Sequence, residues 1–364
     1  MKRQNTIKNT VKFTSVLYIV VVIGILALVN ACTHRAQVST MASAAKNQVS
    51  TAALQQNQPQ TFLVTVANIR KSGSGAVTEV MFNELAELFS VQDATMISNL
   101  QGALNANTTV KVTIDPWQAT VLQVSSVTRE EAAAHAAARA VNNIPGSAYK
   151  IDLANTDPDQ INNLPASAVI NTTTPGLTDV IPDMATAQLM FDYITHQCCA
   201  LPGPYTIDYC IPFQYCEDGC YARAHKMCWI INNKYNYATH KIFSFANSGH
   251  DELCVKGEKW GGCCVNWWYH VAPLVNINSP KGTSAYVIDP AMFDQPVLLA
   301  TWLHAQENPA CVPSGDVPHV SMINIQPTAS YCPNGTTGYL FYTDPAYAST
   351  DTTLVHYAPL VTCP

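Results

Sequence analysis

The sequence predicts an α+β protein built in two parts, and three observations predict it. Segments with strand alternation and segments with helical period follow one another along the chain, separated by Pro, Gly, Asn and Asp. The 13 Cys are unevenly spread: only Cys32 precedes residue 198, and twelve lie between Cys198 and Cys363. Charge divides at nearly the same place. Residues 1–170 hold 12 Lys+Arg and 10 Asp+Glu, whereas residues 171–364 hold 7 and 15, a net of −8. A length of 364 residues with 48% hydrophobic content is enough for two domains with real cores. Charged residues make up 12%, about half the usual share of roughly 25%. The net charge of −6 disfavours nucleic acid as a partner.

Residues 1–15 carry Lys2, Arg3, Lys8 and Lys12 and no acid, and Val16–Val29 is then almost wholly apolar. That run is shorter than the ~20 residues of a membrane span. It reads as a signal peptide over residues 1–31. Val29-Asn30-Ala31-Cys32 has a small residue before a Cys, as in a bacterial lipoprotein signal, which makes Cys32 a lipidation candidate; Asn30 departs from that pattern. Export permits disulfides. Membrane contact is expected only through this segment or a lipid on Cys32.

Residues 32–60, rich in Ser, Thr, Ala and Gln, read as a flexible tether. A Cys-free α+β module follows over 61–154. Thr61–Ile69 alternates like a strand, and Ala76–Val91 carries a helical period. Asp93 is placed to cap a helix running to about Leu104. Thr109–Ile114 and Thr120–Ser125 read as strands, and Arg129–Val141 as a strong helix stopped by Asn142-Asn143-Ile144-Pro145-Gly146. Residues 155–176, with many Asn, Asp, Pro and Thr, read as a cleavable linker.

The second part, 177–364, opens with a helix near Met184–His196. A loop with Pro202, Pro204 and Pro212 follows, then a helix from about Cys220 to Asn232 that Asp218 is placed to cap. Tyr237–Phe245, Val265–Ile277 (interrupted by Pro273) and Tyr286–Ile288 read as strands, and Val297–His304 as a short helix.

Cys220 follows a Gly and starts a helical pattern. A thiol there faces free N–H groups and the positive end of the helix dipole, which favours the thiolate. His270 lies in a strand pattern beside Trp267, Trp268 and Tyr269, and Asp289 ends a strand 19 residues later. The order Cys, His, Asp supplies nucleophile, base and orienter. The bland alternatives are a disulfide for Cys220, a packed core His270, and a turn role for Asp289 before Pro290. His225, five residues after Cys220, projects about 140° away on a helix. Cys263-Cys264 with His270 has ligand chemistry but no paired C-x₂-C spacing, so no metal and no cofactor are expected.

IPDMAT (from Ile181), CIPFQYCEDGCYARAHKM (from Cys210), GGCCVNWWYHVA (from Gly261) and VIDPAMF (from Val287) together resemble the bacterial protein-glutaminase family. The resemblance implies a transglutaminase-like or papain-like cysteine hydrolase core, with N-terminal helices and an antiparallel sheet, preceded by a small α+β pro-domain. It places the family's triad on Cys220, His270 and Asp289. It also implies an exported zymogen whose pro-region covers the site until a protease removes it. The substrates implied are proteins or peptides with accessible Gln, and a monomer is expected. Trp267, Trp268 and Tyr269 are candidate cleft-lining residues.

Three features depart from the family. Pro273 implies an edge strand or a bulge just after the His. Cys199, Cys216 and Cys228 look like additions, and Cys216 and Cys228 are placed to staple the start of the helix. The alternatives with the same triad are a transglutaminase and a cysteine protease; the non-enzymatic one is a disulfide-rich surface protein. With Cys32 and Cys220 set aside, 11 Cys remain. An odd number cannot all pair within one chain.

Overall fold

The computed structural model of the chain describes residues 59–71, 77–85, 87–115, 118–141, 144–145, 147–163, 176–199, 208–246, 251–312, 317–333 and 340–360. The expected signal peptide, Cys32, almost all of the tether and the 164–175 part of the linker lie outside the described residues. Among the described residues no helix is long and apolar enough to cross a membrane.

The first part contains β1 (Gln60–Lys71), β2 (Thr78–Phe82), β3 (Leu88–Val91), α1 (Ala94–Ala106), β4 (Thr109–Asp115), β5 (Thr120–Ser125) and α2 (Arg129–Val141). Its strands close into a barrel in the order β1-β2-β3-β5-β4. Val64, Val66, Val80, Phe82, Phe89, Val91 and Val112 fill it, and Leu100 of α1 plugs one side. Asp93 caps α1 by accepting from the Met96 N–H at 2.8 Å. Thr128 and Glu131 form a reciprocal capping box at the start of α2.

The helical period over Ala76–Val91 corresponds to no helix among the described residues. β2 and β3 occupy that stretch and alternate cleanly, but Val80 and Phe82 face inward at even positions and Phe89 and Val91 at odd ones. Two strands joined out of phase imitate a helical spacing, and barrel closure selects the strands.

The rest of the chain contributes β6 (Ile144–Pro145), β7 (Ser147–Lys150), α3 (Pro158–Asn162), β8 (Val180–Ile181), α4 (Met184–Thr195), α5 (Cys220–Tyr235), β9 (His240–Phe245), β10 (Asp251–Gly257), β11 (Cys263–Trp267) and β12 (Tyr269–Ser279). It continues with β13 (Gly282–Val287), β14 (Val297–Leu298), α6 (Leu299–His304), β15 (Val317–Pro318), β16 (Met322–Pro327), β17 (Ser330–Pro333), β18 (Leu340–Thr343) and α7 (Ala348–Tyr357). The main sheet runs β14-β13-β12-β9-β16-β7, with β8 also paired to β12. Met190 and Phe191 of α4 and Tyr221, Ala224 and Met227 of α5 share one buried core with Val271, Leu274 and Val275 of β12.

The packing boundary lies earlier than residue 154. β6 pairs with β18 and β7 with β16, both in the second part. Leu153 and Ile161 are buried in its core, and Asn162 Oδ1 accepts from the Ala300 N–H at 2.9 Å. Strands of two and four residues are too short to register as periodicity, and α3 lies inside what composition marks as linker.

Cys199 is bonded to Cys210, Cys264 to Cys311, and Cys263 is also disulfide-bonded. Cys216 and Cys228 retain thiols, so neither staples the helix that begins at Cys220.

The two cores are separate clusters, so they should respond separately to mutation. Phe89→Ala is expected to cost about 3–5 kcal/mol of barrel stability. Hydrogen exchange should quicken in β1–β5 while protection in β9 and β12 is unchanged; equal loss in both would contradict separate cores.

Candidate active site

Cys220 is the first residue of α5. The N-cap is Gly219 rather than Asp218, with φ of 83° and no side-chain cap. Only Gly fits there: the φ is left-handed, and a Cβ would lie 2.7 Å from the Tyr357 ring. The Asp218 carboxylate serves instead as a junction. Oδ1 accepts from the Gly219 N–H at 2.6 Å, and Oδ2 accepts from Tyr357 Oη at 2.7 Å and, in the barrel, from the Leu88 N–H at 2.9 Å.

One turn into α5, the buried Arg223 donates from Nη1 to Tyr215 O at 3.0 Å and Asp218 O at 2.8 Å. Two carbonyls on one nitrogen curl the 215–219 loop around a cation, which delivers Cys220 to the helix start. Burial pushes the Cys220 thiol up to about 12; Arg223 and the Val271 backbone N–H pull the other way. In this form of the chain the nucleophile candidate is a neutral thiol.

The Val271 N–H is available because of Pro273. Pro273 O accepts from the Ile288 N–H at 3.0 Å, just past the last paired β13 residue, Val287. Pro has no N–H to return, so the ladder ends there and the chain turns into Asp289. In an antiparallel ladder, residues two apart direct their backbone groups to the same side. Val271 therefore points its N–H beyond the end of β13, toward Cys220. The expected edge or bulge at Pro273 is not what is found. β12 lies between β13 and β9, with Pro273 opposite Lys241, and Pro is accommodated because its open side lies past the end of β13.

His270 and Asp289 are both buried, and His270 Nε2 lies 2.9 Å from Asp289 Oδ2. The same oxygen accepts from Trp302 Nε1 at 2.9 Å. Burial alone would raise the Asp289 carboxyl; the His270 hydrogen bond and charge, then the Trp302 donor and Arg223, outweigh it and hold it below its usual range. The His270 ring stacks between the Trp267 ring at 4.5 Å and the Trp302 ring at 5.4 Å. Its Nδ1 is buried without a hydrogen-bond partner among the described residues. With Nε2–H given to Asp289, Nδ1 is the nitrogen left to take a proton.

Trp267, Trp268 and Tyr269 all line a crevice together with Cys216, Glu217, Asp218, Cys220 and Arg223. Trp267 Nε1 also donates to Cys216 O at 3.0 Å, tying this wall to the loop before the nucleophile. His225 faces away, with Nε2 3.1 Å from Asp344 O. Among the described residues no three metal-ligating side chains converge.

Three barrel residues, Arg70, Met81 and Leu88, complete the crevice wall and leave about 30 Å³ inside it. Arg70 Nη1 donates to Asn266 O at 2.9 Å. Glu87 accepts from Thr353 Oγ1 of α7 at 3.0 Å. Sequence reasoning missed Trp302, Arg223, the Val271 amide and these barrel residues. Trp302 carried one signal, a large aromatic on a short helix soon after Asp289.

A helix-start thiol, an imidazole with one free nitrogen, and an ionised carboxylate fixing the other nitrogen form a site able to transfer acyl groups. Residues 187–306 match a family profile described as Glutaminase. The solved structure of pro-protein-glutaminase is 26% identical, with a TM-score of 0.56, over 84% of this chain and 95% of that one. Protein-glutaminase is 33% identical over 51% of this chain and 93% of its own (TM-score 0.43). Protein-glutaminase from Chryseobacterium proteolyticum is 32% identical over 48% and 86% (TM-score 0.39). No curated protein matches the chain. On these identities and coverages the chain belongs to the protein-glutaminase family.

Trp302→Phe keeps a ring against His270 and removes the donor to Asp289. The expected cost is about 1.5–3 kcal/mol, as for a hydrogen bond to a charged group. Denaturant unfolding measures it; no loss would show that Asp289 does not depend on the indole.

Proposed function

We propose that this chain is the precursor of an exported protein-glutamine deamidase, held inactive by its N-terminal barrel. The observation that carries the proposal is the His270–Asp289 pair beside a helix-start thiol that the barrel buries. The basic, then apolar, N-terminus supports export, and Cys32 is the candidate for a lipid anchor on the precursor.

Once the barrel leaves, Cys220 regains solvent, and Arg223, the helix dipole and the Val271 amide favour its anion. The sulfur attacks the side-chain carbonyl of a substrate Gln while His270 Nδ1 takes the thiol proton. That proton passes to the departing nitrogen, so ammonia leaves and a γ-glutamyl thioester remains. His270 then takes a proton from water, whose oxygen attacks the thioester. The products are a Glu side chain and the restored thiol. The Cys220 N–H and a donor from Tyr215–Gly219 hold the developing oxyanion. Asp289 keeps the imidazole in the required tautomer and stabilises its cation.

Ammonia release and peptide mass spectrometry, before and after mild proteolysis, test this. The precursor should be silent and its Cys220 slow to alkylate. The cleaved form should convert Gln to Glu without crosslinks or new termini. Cys220→Ala should abolish turnover with little loss of stability. Crosslinked products would indicate a transglutaminase, cut backbones a protease, and a disulfide at Cys220 in the cleaved form a non-enzymatic protein.

Release of the barrel should depend on pH. Burial, then the neighbouring Asp218 charge, pushes the Glu87 carboxyl up to about 7, against an ordinary 4.5. Between those values the docked barrel holds a proton that the released barrel does not. Docking is therefore strongest at the acid end and weakens as pH rises toward about 7, by at most about tenfold per pH unit. Gel filtration of protein cut between α2 and β6, ahead of the strands that pair in the second part, should show the barrel retained near pH 5 and shed more readily near pH 8. Glu87→Gln should flatten the dependence.

A further inference from the structure

α7 is fastened where it can act on the nucleophile loop. Its start is tied to α5, the helix that Cys220 begins. Asp344 Oδ2 accepts from the Thr350 N–H and from Thr350 Oγ1, both at 2.7 Å, and the Asp344 carbonyl oxygen lies 3.1 Å from His225 Nε2. Asp351, in the first turn of α7, is paired with Lys226 at 2.6 Å. With that end held on the flank of α5, a helix of 10 residues carries the other end to the loop before Cys220.

The last residue of α7 is the buried Tyr357, and its side chain meets that loop in three places. The ring packs on the Tyr215 ring, with centroids 4.6 Å apart. It lies against Gly219, where it leaves no room for a Cβ. Its Oη donates to Asp218 Oδ2 at 2.7 Å, and the other oxygen of that carboxylate accepts from the Gly219 N–H at 2.6 Å. Burial pushes the phenol well above its usual range, so it stays a neutral donor.

These contacts fix a backbone direction. The Gly219–Cys220 peptide bears the Cys220 N–H, the donor assigned above to the oxyanion. Its direction follows from Gly219, with φ of 83° and ψ of 8°. The Tyr357 ring confines Gly219 from one side, and the Asp218 carboxylate holds its N–H. While the barrel is docked, Asp218 Oδ2 also accepts from the Leu88 N–H. That donor goes when the barrel leaves. Tyr221 Oη, at 3.5 Å, is too distant to replace it. The Tyr357 hydroxyl is then the one short hydrogen bond on that oxygen among the described residues. Without it a buried carboxylate is short of donors and free to swing off the Gly219 N–H.

We propose that Tyr357 is a positioning residue: its hydroxyl, acting through the Asp218 carboxylate and the Gly219 backbone, aims the Cys220 N–H at the oxyanion formed during acyl transfer. The C-terminal helix is thereby part of the working site of the barrel-free enzyme, although Tyr357 is not among the residues that line the crevice. This role rests on the deamidase function proposed above for its substrate, but it can be read on any acyl donor.

The test uses the full chain cut between α2 and β6 and freed of the barrel, as wild type, Tyr357→Phe, Asp218→Asn and the double variant. Three probes are compared. With p-nitrophenyl acetate, the Cys220 sulfur bonds the acetyl carbon through a tetrahedral oxyanion and nitrophenolate leaves. Iodoacetamide alkylates the same sulfur without forming an oxyanion. Ammonia release from a Gln peptide reports the deamidase reaction. Tyr357→Phe should slow acylation, and kcat for ammonia, about tenfold, part of the ~10²–10³ that losing an oxyanion donor outright costs. KM and the alkylation rate should be nearly kept. The double variant should be no slower than Asp218→Asn, because the hydroxyl acts through that carboxylate. Equal losses of acylation and alkylation would make Tyr357 merely structural and overturn the proposal. Unchanged acylation, or losses that add in the double variant, would also overturn it. If Tyr357→Phe does not fold, Asp218→Asn must show the same split between acylation and alkylation, or the proposal falls. Acylation that depends on Tyr357, without ammonia release, would uphold the positioning and sink the deamidase reading. Ammonia release insensitive to Tyr357 would do the reverse, and a wild type that neither acylates nor releases ammonia would overturn both.

Discussion

An ionised carboxylate buried in a protein core persists only where donors and positive charge replace the water it has lost. Asp289 meets that condition with His270 and Trp302 on one oxygen and Arg223 as the nearby cation. Much else follows from it. Trp302 stacks on the imidazole it shares Asp289 with, so α6 must pack against the strand carrying His270. Gln306 then bonds Trp302 O and accepts from Ser244, fastening α6 to β9. The β12–β13 ladder must stop early enough for the chain to enter Asp289, and Pro273 stops it.

The barrel and the site are joined by the same few residues that the chemistry needs. Asp218 shapes the loop before Cys220 and also receives a barrel N–H. Covering the crevice buries the thiol and raises it, and it sets Glu87 near Asp218. The shielding of Cys220 and the upward push on the Glu87 carboxyl are thus two results of one docked surface. The β-barrel needs no cysteine for this, because its own apolar core closes without one.

Local chemistry that acts within a few residues was readable in the sequence. Asp93 as a cap, the Arg129–Val141 helix and Cys220 at a helix start all depend on neighbours along the chain. The paired His270 and Asp289 were legible as strand-borne residues, though their 2.9 Å contact was not. Other features were hidden because their cause is remote. β2 and β3 read as a helix until the barrel supplied their partners. β6 and β7 are strands only because β18 and β16 pair with them. Position 219 admits only Gly because the Tyr357 ring, far along the chain, occupies the space of a Cβ.

The amino-acid sequence by itself determined the division into a Cys-free first part and an acidic, Cys-rich second part, and the residue types of the site. Tertiary structure alone decided which nitrogen of His270 stays open, that Trp302 completes the Asp289 site, and that Arg70, Met81 and Leu88 cover Cys220. The physical reason is range. Helix caps and side-chain periods are settled over a few residues, whereas burial and carboxylate satisfaction depend on groups brought together from distant parts of the chain.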